Sequence, residues 1–329
     1  MLAPDGQPSP LLVGLDLGGS KIEAAVLRRT HNGSLEVTLR KRIPTERDRG
    51  YEAVLTRTAS LLNEVIGEAG ADRATVPIGV GMPGGVTRAG LIKNSNTVCL
   101  NGRPFREDLC RALGGRSIAF ENDANCFALA EARMGAAAAW IDGVVFGVIL
   151  GTGAGGGLVL KGTVWPGAQG IAGEWGHHAV WADRGPTCYC GQRGCLEVFA
   201  SGPAVERDYR ERSGKALPLA EIARRRAEDP HAREAVEGLI DTFGRGLANV
   251  IDILDPSAIV IGGGVSNLDI LYTEGAARVA RYVFNDELTT PILKNTLGDS
   301  SGVLGAALLN EPAEGAAFGS GFGSGSASR

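Results

Sequence analysis

Three cysteines fall within eight residues, Cys188-Tyr189-Cys190-Gly191-Gln192-Arg193-Gly194-Cys195, with glycines between them. Thiolates at that density, on a loop able to turn tightly, fit a tetrahedral Zn²⁺ site. His177 and His178 lie just upstream, in a chain with only 4 histidines, and either is a candidate fourth ligand. Three thiolates and one imidazole close the shell to substrate, so the zinc would be structural. Cys99, Cys110 and Cys126 lack such spacing and read as core thiols.

A second cluster is Glu121-Asn122-Asp123-Ala124-Asn125, directly ahead of a helical pattern. Asp or Asn at such a place is a good N-cap, and capping alone is the commoner reason to find one. The functional reading makes Asp123 a general base that takes the proton of an attacking hydroxyl as a γ-phosphoryl group departs, with Asn122 binding hydroxyls. A helix terminus is a rigid mount, so the two readings coexist. Glu174 and Glu197 flank the cysteine loop; alone they are surface charges, but beside a metal loop they become candidates for sugar hydroxyls.

Two glycine turns add anion-binding chemistry. Asp16-Leu17-Gly18-Gly19-Ser20-Lys21 nearly spells a Walker loop, but Ile22–Leu27 after it is β-branched and apolar. A P-loop needs a helix N-terminus beneath the phosphates, so that reading is rejected. Gly151–Gly156 and Gly79–Gly84 fit the dinucleotide pattern of glycines, yet neither opens a helix, which excludes a Rossmann site. Successive N–H groups of a glycine turn still make an anion nest. Ser20 and Thr152 could add hydroxyl donors, and Asp16 is placed to hold Mg²⁺ against the phosphates, or merely to cap its turn.

The elements that position these groups follow from apolar spacing. Leu11–Leu27 and Val144–Leu160 both read strand, glycine turn, strand, and a shift of 133 positions lays Gly18 on Gly151. This predicts a weak internal repeat, one glycine-turned hairpin opening each of two lobes. Tyr51–Gly70 carries apolar residues at helical spacing, and Pro77–Gly81 reads as a short strand. Ala124–Met134, Glu221–Glu228 and Ala235–Ile253 are predicted helices, the last stopping before Asp255-Pro256. Ser257–Ile261 is a buried strand running into Gly262-Gly263-Gly264.

The whole composition fits that plan. A chain of 329 residues, 44% hydrophobic but only 5% aromatic, supports about two domains with aliphatic cores. Glycine is in excess at 49 residues, clustered beside the strands, which points to tight turns and close approach of backbone to ligand. A net charge of −4 with no basic stripe argues against nucleic acid. No apolar run is long enough for a transmembrane helix, and the first ten residues lack the pattern of a signal peptide. A cytoplasmic location with reduced cysteines is expected. From 311 to 329 the chain degenerates to Gly, Ser and Ala, predicting a disordered tail.

These motifs, in this order, resemble the ROK group (repressor, open reading frame, kinase): DLGGSK at Asp16, ENDAN at Glu121, GTGAGGG at Gly151, GEWGH at Gly173, CYCGQRGCLE at Cys188 and IGGGVSN at Ile261. Ser20 stands where threonine is commoner, keeping the hydroxyl. The resemblance implies an α/β, two-lobed actin-like (ribonuclease H-like) ATPase fold with a small zinc loop. It implies lobes at 11–122 and 123–310, with the last helix packing back on the first. It assigns Asp123 as catalytic base, and Asn122, Glu174, His177 and Glu197 as sugar ligands. Gly84, Gly85 and Asn96 would line the sugar side. Gly18, Gly19, Ser20 and Lys21 with Gly151, Thr152 and Gly153 would form the phosphate turns, and Gly262, Gly263 and Gly264 a nucleoside contact. His177, Cys188, Cys190 and Cys195 would bind the zinc.

Within that group, Leu91–Phe105, Asn249–Pro256, Ser266–Tyr272 and Gly298–Ala307 look most like bacterial fructokinases that also accept mannose. The expectation is therefore ATP-dependent 6-phosphorylation of fructose, in a homodimer, with N-acetylglucosamine kinase or glucokinase as the alternative. A sugar-sensing repressor is the different-class alternative. Only ten residues precede Leu11, too few for a DNA-binding domain, so the repressor reading is disfavoured.

Overall fold

The computed structural model describes residues 10–311. Apart from Glu311, the tail expected at 311–329 lies outside the described residues. Strands β1 (Leu11–Leu17), β2 (Lys21–Arg29), β3 (Leu35–Pro44) and β4 (Ile78–Met82) precede a short hairpin, β5 (Gly85–Val86) and β6 (Ile92–Lys93); β7 (Ala119–Asn122) follows. The first sheet runs β3-β2-β1-β4-β7, with an antiparallel meander on one side of β1 and parallel strands on the other. Strands β8 (Val144–Leu150), β9 (Ala154–Leu160), β10 (Thr163–Val164), β11 (Ala258–Gly262) and β12 (Ile292–Lys294) form a second sheet of order β10-β9-β8-β11-β12. Its antiparallel and parallel pairings repeat those of the first.

The offset between β1 and β8, and between the starts of β2 and β9, is the 133 positions that superimposed the glycine turns. The internal repeat is thus a repeat of a whole sheet. This doubled topology is the ribonuclease H-like arrangement of the actin-like fold.

The helices are α1 (Tyr51–Glu68), α2 (Phe105–Ala112), α3 (Asp123–Arg133), α4 (Glu197–Ala200), α5 (Gly202–Ser213), α6 (Leu219–Arg225), α7 (Pro230–Leu254), α8 (Glu274–Tyr282) and α9 (Ser301–Leu308). Helix α1 buries Val54, Leu61, Leu62, Val65 and Ile66 on one face of the first sheet. Helix α7 covers the second sheet with Leu239, Ile240, Phe243 and Leu247. It begins ahead of its apolar stripe because Asp229 caps the N–H groups of His231 and Ala232 and Pro230 sits at the first turn. Strands β4 and β11 are buried at every residue, as expected of parallel strands covered on both faces. Among the described residues no helix is long and apolar enough to cross a membrane.

Part of the glycine excess serves packing rather than turns. Gly14 of β1 pairs in register with Gly79 of β4, and both lie under α9. A Cβ on Gly14 would sit 2.1 Å from Val303 O, and one on Gly79 only 1.8 Å from Ala306 O. Gly147, the repeat partner of Gly14, does the same for α3, where a Cβ would meet Ala128 Cβ at 2.5 Å. Helices α9 and α3 also meet each other at Gly305, whose Cβ would fall 1.8 Å from Cys126 O. So α9 lies on the first sheet, α3 on the second, and the two helices pack together between them. Bare backbone at these points is what allows so close an approach.

Candidate active site

Asp123 stands at the start of α3, immediately after β7. Asn122 is the N-cap: its Oδ1 accepts from Ala124 N at 2.9 Å, and Asp123 Oδ1 accepts from the same N–H at 2.9 Å. Burial pushes the Asp123 carboxyl above the ordinary aspartate range; the Ala124 N–H opposes this, and the charge of Glu174 adds to the rise. Asn122 Nδ2 donates to Gly84 O at 3.0 Å, which joins the two predicted sugar-side segments. Gly84 needs its left-handed backbone (φ 87), because a Cβ would lie 2.4 Å from Lys93 O.

Asn122, Gly84 and Gly85 line a cavity of about 240 Å³ with Lys93, Arg106, Phe120, Glu121 and Gln169, whereas Asp123, Glu174, His177 and Glu197 are not in its lining. Arg106 was not singled out from sequence. Its guanidinium lies over the Phe120 ring and Nη2 donates to Phe120 O at 2.8 Å, so it braces the strand that carries Asn122. Nothing in its local spacing marks it, since it acts across space on another element.

The first glycine turn follows Asp16, whose carboxyl feels the charge of Asp123, and the second leads into Gly155, which lies against Ala124 beside Asp123. Gly18 N donates to Lys21 O, and Thr45 Oγ1 donates to Gly18 O at 2.7 Å, which fixes the first turn. Asn96, expected on the sugar side, lies against Gly19 beside Arg47, so it borders the first turn. Lys21 Nζ reaches Asp299 at 3.7 Å. In the second turn Gly151 N donates to Gly153 O, and Gly151 abuts Gly263 and Gly264, so the predicted phosphate and nucleoside segments meet. Glu197 holds the residue after this turn: its Oε2 accepts from Ala154 N at 2.8 Å.

Asp16, at the end of β1, is pushed up to about 7, first by burial and then by the nearby carboxylates of Asp123 and Glu23; Lys21 and Arg42 pull the other way. A buried carboxylate short of positive charge suits a divalent cation. The folded protein holds the Asp16 proton over a pH range where the unfolded chain, with its carboxyl near 4, has lost it. Stability therefore falls as pH rises through that window, and the full cost is reached above about 7. Asp16→Asn should raise the urea midpoint in EDTA at pH 8, an effect on the order of a few kcal/mol, and should lose that advantage near pH 4. An equal midpoint at both pH values would show that Asp16 carries no such penalty.

The cysteine loop closes the site. His177, Cys188, Cys190 and Cys195 bring one ligand atom each to within 4.8 Å of one another and could hold a metal ion. Cys190 Sγ lies 3.6 Å from Cys195 Sγ, and Cys188 Sγ lies 3.6 Å from His177 Nδ1. Zn–S bonds of ~2.3 Å set the edges of a tetrahedral shell at ~3.7 Å, so the donor set fits zinc. His178 is excluded from it: its Nδ1 engages Trp175 O. The motif around it is held by Trp175, whose Nε1 donates to Gly155 O at 2.7 Å, and by Gly176, where a Cβ would lie 2.0 Å from Ala154 O.

The ROK family model matches residues 12–312, nearly the whole described chain. The chain belongs to the ROK family. An N-acetyl-D-glucosamine kinase from Mannheimia succiniciproducens is 38% identical over 320 residues, covering 91% of this chain and 99% of that one. The crystal structure of a ROK hexokinase from Thermus thermophilus matches with a TM-score of 0.80 at 35% identity, covering 91% of this chain and 97% of the other. A ROK glucokinase from Streptomyces griseus, in complex with glucose and AMPPNP, matches with a TM-score of 0.70 at 27% identity, covering 91% and 98%. None of these three ROK relatives carries the fructokinase name that the sequence segments suggested.

Proposed function

We propose that this ROK-family sugar kinase transfers the γ-phosphoryl group of ATP to the 6-hydroxyl of N-acetyl-D-glucosamine. The observation that supports the kinase reading is Asp123, which directly follows Asn122 of the Gly84 cavity and lies near enough to Asp16, just ahead of the first glycine turn, for the two charges to interact. The relative named above supports the choice of sugar. The lobes 11–122 and 123–310 would close around the cleft and shut water out of the transfer.

In this reading Asp123 accepts the proton of the attacking hydroxyl. Asn122, Glu174, His177 and Glu197 orient the sugar. The turns Gly18–Ser20 and Gly151–Gly153 cradle the phosphates through the N–H groups of Gly19, Ser20, Thr152 and Gly153, since those of Gly18 and Gly151 close the turns themselves. Glu197 couples the two jobs, since the carboxylate that orients the sugar also holds the residue after the second turn. Mg²⁺, when bound by Asp16 and ATP, neutralises charge developing on the phosphoryl oxygens. Zinc at His177, Cys188, Cys190 and Cys195 would be structural, fixing the loop that carries His177 and Glu197. Cys190→Ser should therefore lower zinc content and melting temperature together; full zinc retention by mass spectrometry would remove this assignment.

Fructose is the second reading. It rests on Leu91–Phe105, the stretch resembling fructokinases, which places Lys93 in the cavity wall and packs it on Gly84 and Gly85. ADP release with Mg²⁺-ATP against N-acetyl-D-glucosamine, fructose, mannose, glucose and N-acetylmannosamine at matched concentrations decides between them. The highest kcat/KM is expected for N-acetyl-D-glucosamine. Preference for fructose would replace the sugar and keep the mechanism, and no turnover with any of the five would overturn the kinase reading.

A further inference from the structure

Tyr189 separates two of the clustered cysteines and, read from sequence, is only a spacer. In the fold it is the side chain that meets His177 on the face away from sulfur. The Tyr189 hydroxyl lies 2.8 Å from His177 Nε2, and the two rings pack edge to face with centroids 5.0 Å apart. His177 Nδ1 is turned to Cys188 Sγ, and Nε2, on the other side of the ring, lies 4.0 Å from Glu174 Oε2. The phenol therefore bonds His177, and His177 lies beside Glu174, two of the four side chains to which the proposed function gives the sugar. Yet the residue is 72% exposed, so little besides this bond and the edge contact holds the ring in place.

We propose that Tyr189 tunes sugar affinity, its hydroxyl occupying the position on His177 Nε2 that a sugar hydroxyl takes in the proposed reading. Binding is then an exchange: the phenol leaves Nε2, rotates toward solvent, and a sugar hydroxyl replaces it. Only a sugar that bonds His177 better than the phenol does, with help from Glu174, gains net affinity. One hydrogen bond in such an exchange is worth about 0.5–1.5 kcal/mol, or roughly two- to tenfold in affinity.

The proposal rests on the sugar-kinase reading, and its test separates the two. Wild type, Tyr189→Phe and Tyr189→Ala are compared for sugar KM across the five sugars, for KM of ATP, for sugar affinity by calorimetry without nucleotide, and for zinc content. Both variants keep the metal-binding side chains and lie on an exposed loop. The expected result is a two- to tenfold lower KM and Kd for the preferred sugar in both variants, with ATP KM and zinc content as in wild type. A tighter site is not what a damaged loop gives, because structural disturbance raises KM. Unchanged or raised sugar KM with an active wild type would overturn the role of Tyr189 alone, as would loss of zinc. A wild type inert toward every sugar would overturn both readings.

Discussion

Asp123→Asn should lower kcat by about 10²–10⁴-fold, the usual range for loss of a general base, with little change in fold. The helix tolerates this change because the cap does not depend on residue 123. Asn122 Oδ1 already accepts from Ala124 N, and an asparagine oxygen at 123 can share that N–H as Asp123 Oδ1 does. What the amide cannot do is take a proton at neutral pH. The same carboxylate predicts a pH dependence. Burial and Glu174 raise the Asp123 carboxyl, so kcat/KM should fall, as pH is lowered, at a pH above the ordinary aspartate range. Glu174→Gln removes the charge that opposes ionisation and should move that limb to lower pH. The profile of kcat/KM against pH for the three proteins checks this. Turnover of Asp123→Asn within tenfold of wild type would transfer the base role to another group.

The largest effect on stability is expected at Glu131, which sequence reading passed over. This carboxylate is fully buried in the last turn of α3. Its Oε2 accepts from Ala136 N at 2.9 Å and Thr296 N at 3.2 Å, and its Oε1 from Leu297 N at 3.0 Å and the Ser301 hydroxyl at 3.2 Å. It thereby ties the helix that begins with Asp123 to the segment that starts α9, the two helices packed between the sheets. Glu131→Ala leaves several buried donors without an acceptor, each costing about 1–3 kcal/mol. A total loss of about 3–5 kcal/mol is expected, since neighbouring donors relax together. Glu131→Gln keeps the volume and one carbonyl acceptor and should lose about half as much. Urea denaturation of the three proteins measures both losses; a cost below about 1 kcal/mol for the alanine variant would show that the clamp is dispensable.

The sequence by itself determined the architecture and the chemical inventory. Apolar runs interrupted by glycine are local signals, so the hairpins at Leu11 and Val144 were legible, and their 133-residue offset survived into the sheets. The cysteine spacing was equally local, because the four side chains that could hold one metal lie within nineteen residues of chain. Asp123 was legible too, as a helix-start residue of unusual context.

Only the tertiary structure decided the rest, for reasons of distance. Glu131 and its partners are separated by some 165 residues, so no spacing rule connects them. Gly14, Gly79 and Gly147 belong to the glycine excess that composition assigned to turns and ligand approach, yet their use is to admit a helix from elsewhere in the chain. Which nitrogen of His177 faces sulfur and which faces Tyr189 is a matter of ring orientation, set by packing of Trp175 and Gly176 on β9 rather than by sequence order. The sugar was the least legible feature of all. It depends on which hydroxyls a few side chains from both lobes can reach, and similarity of short segments carries no information about that geometry.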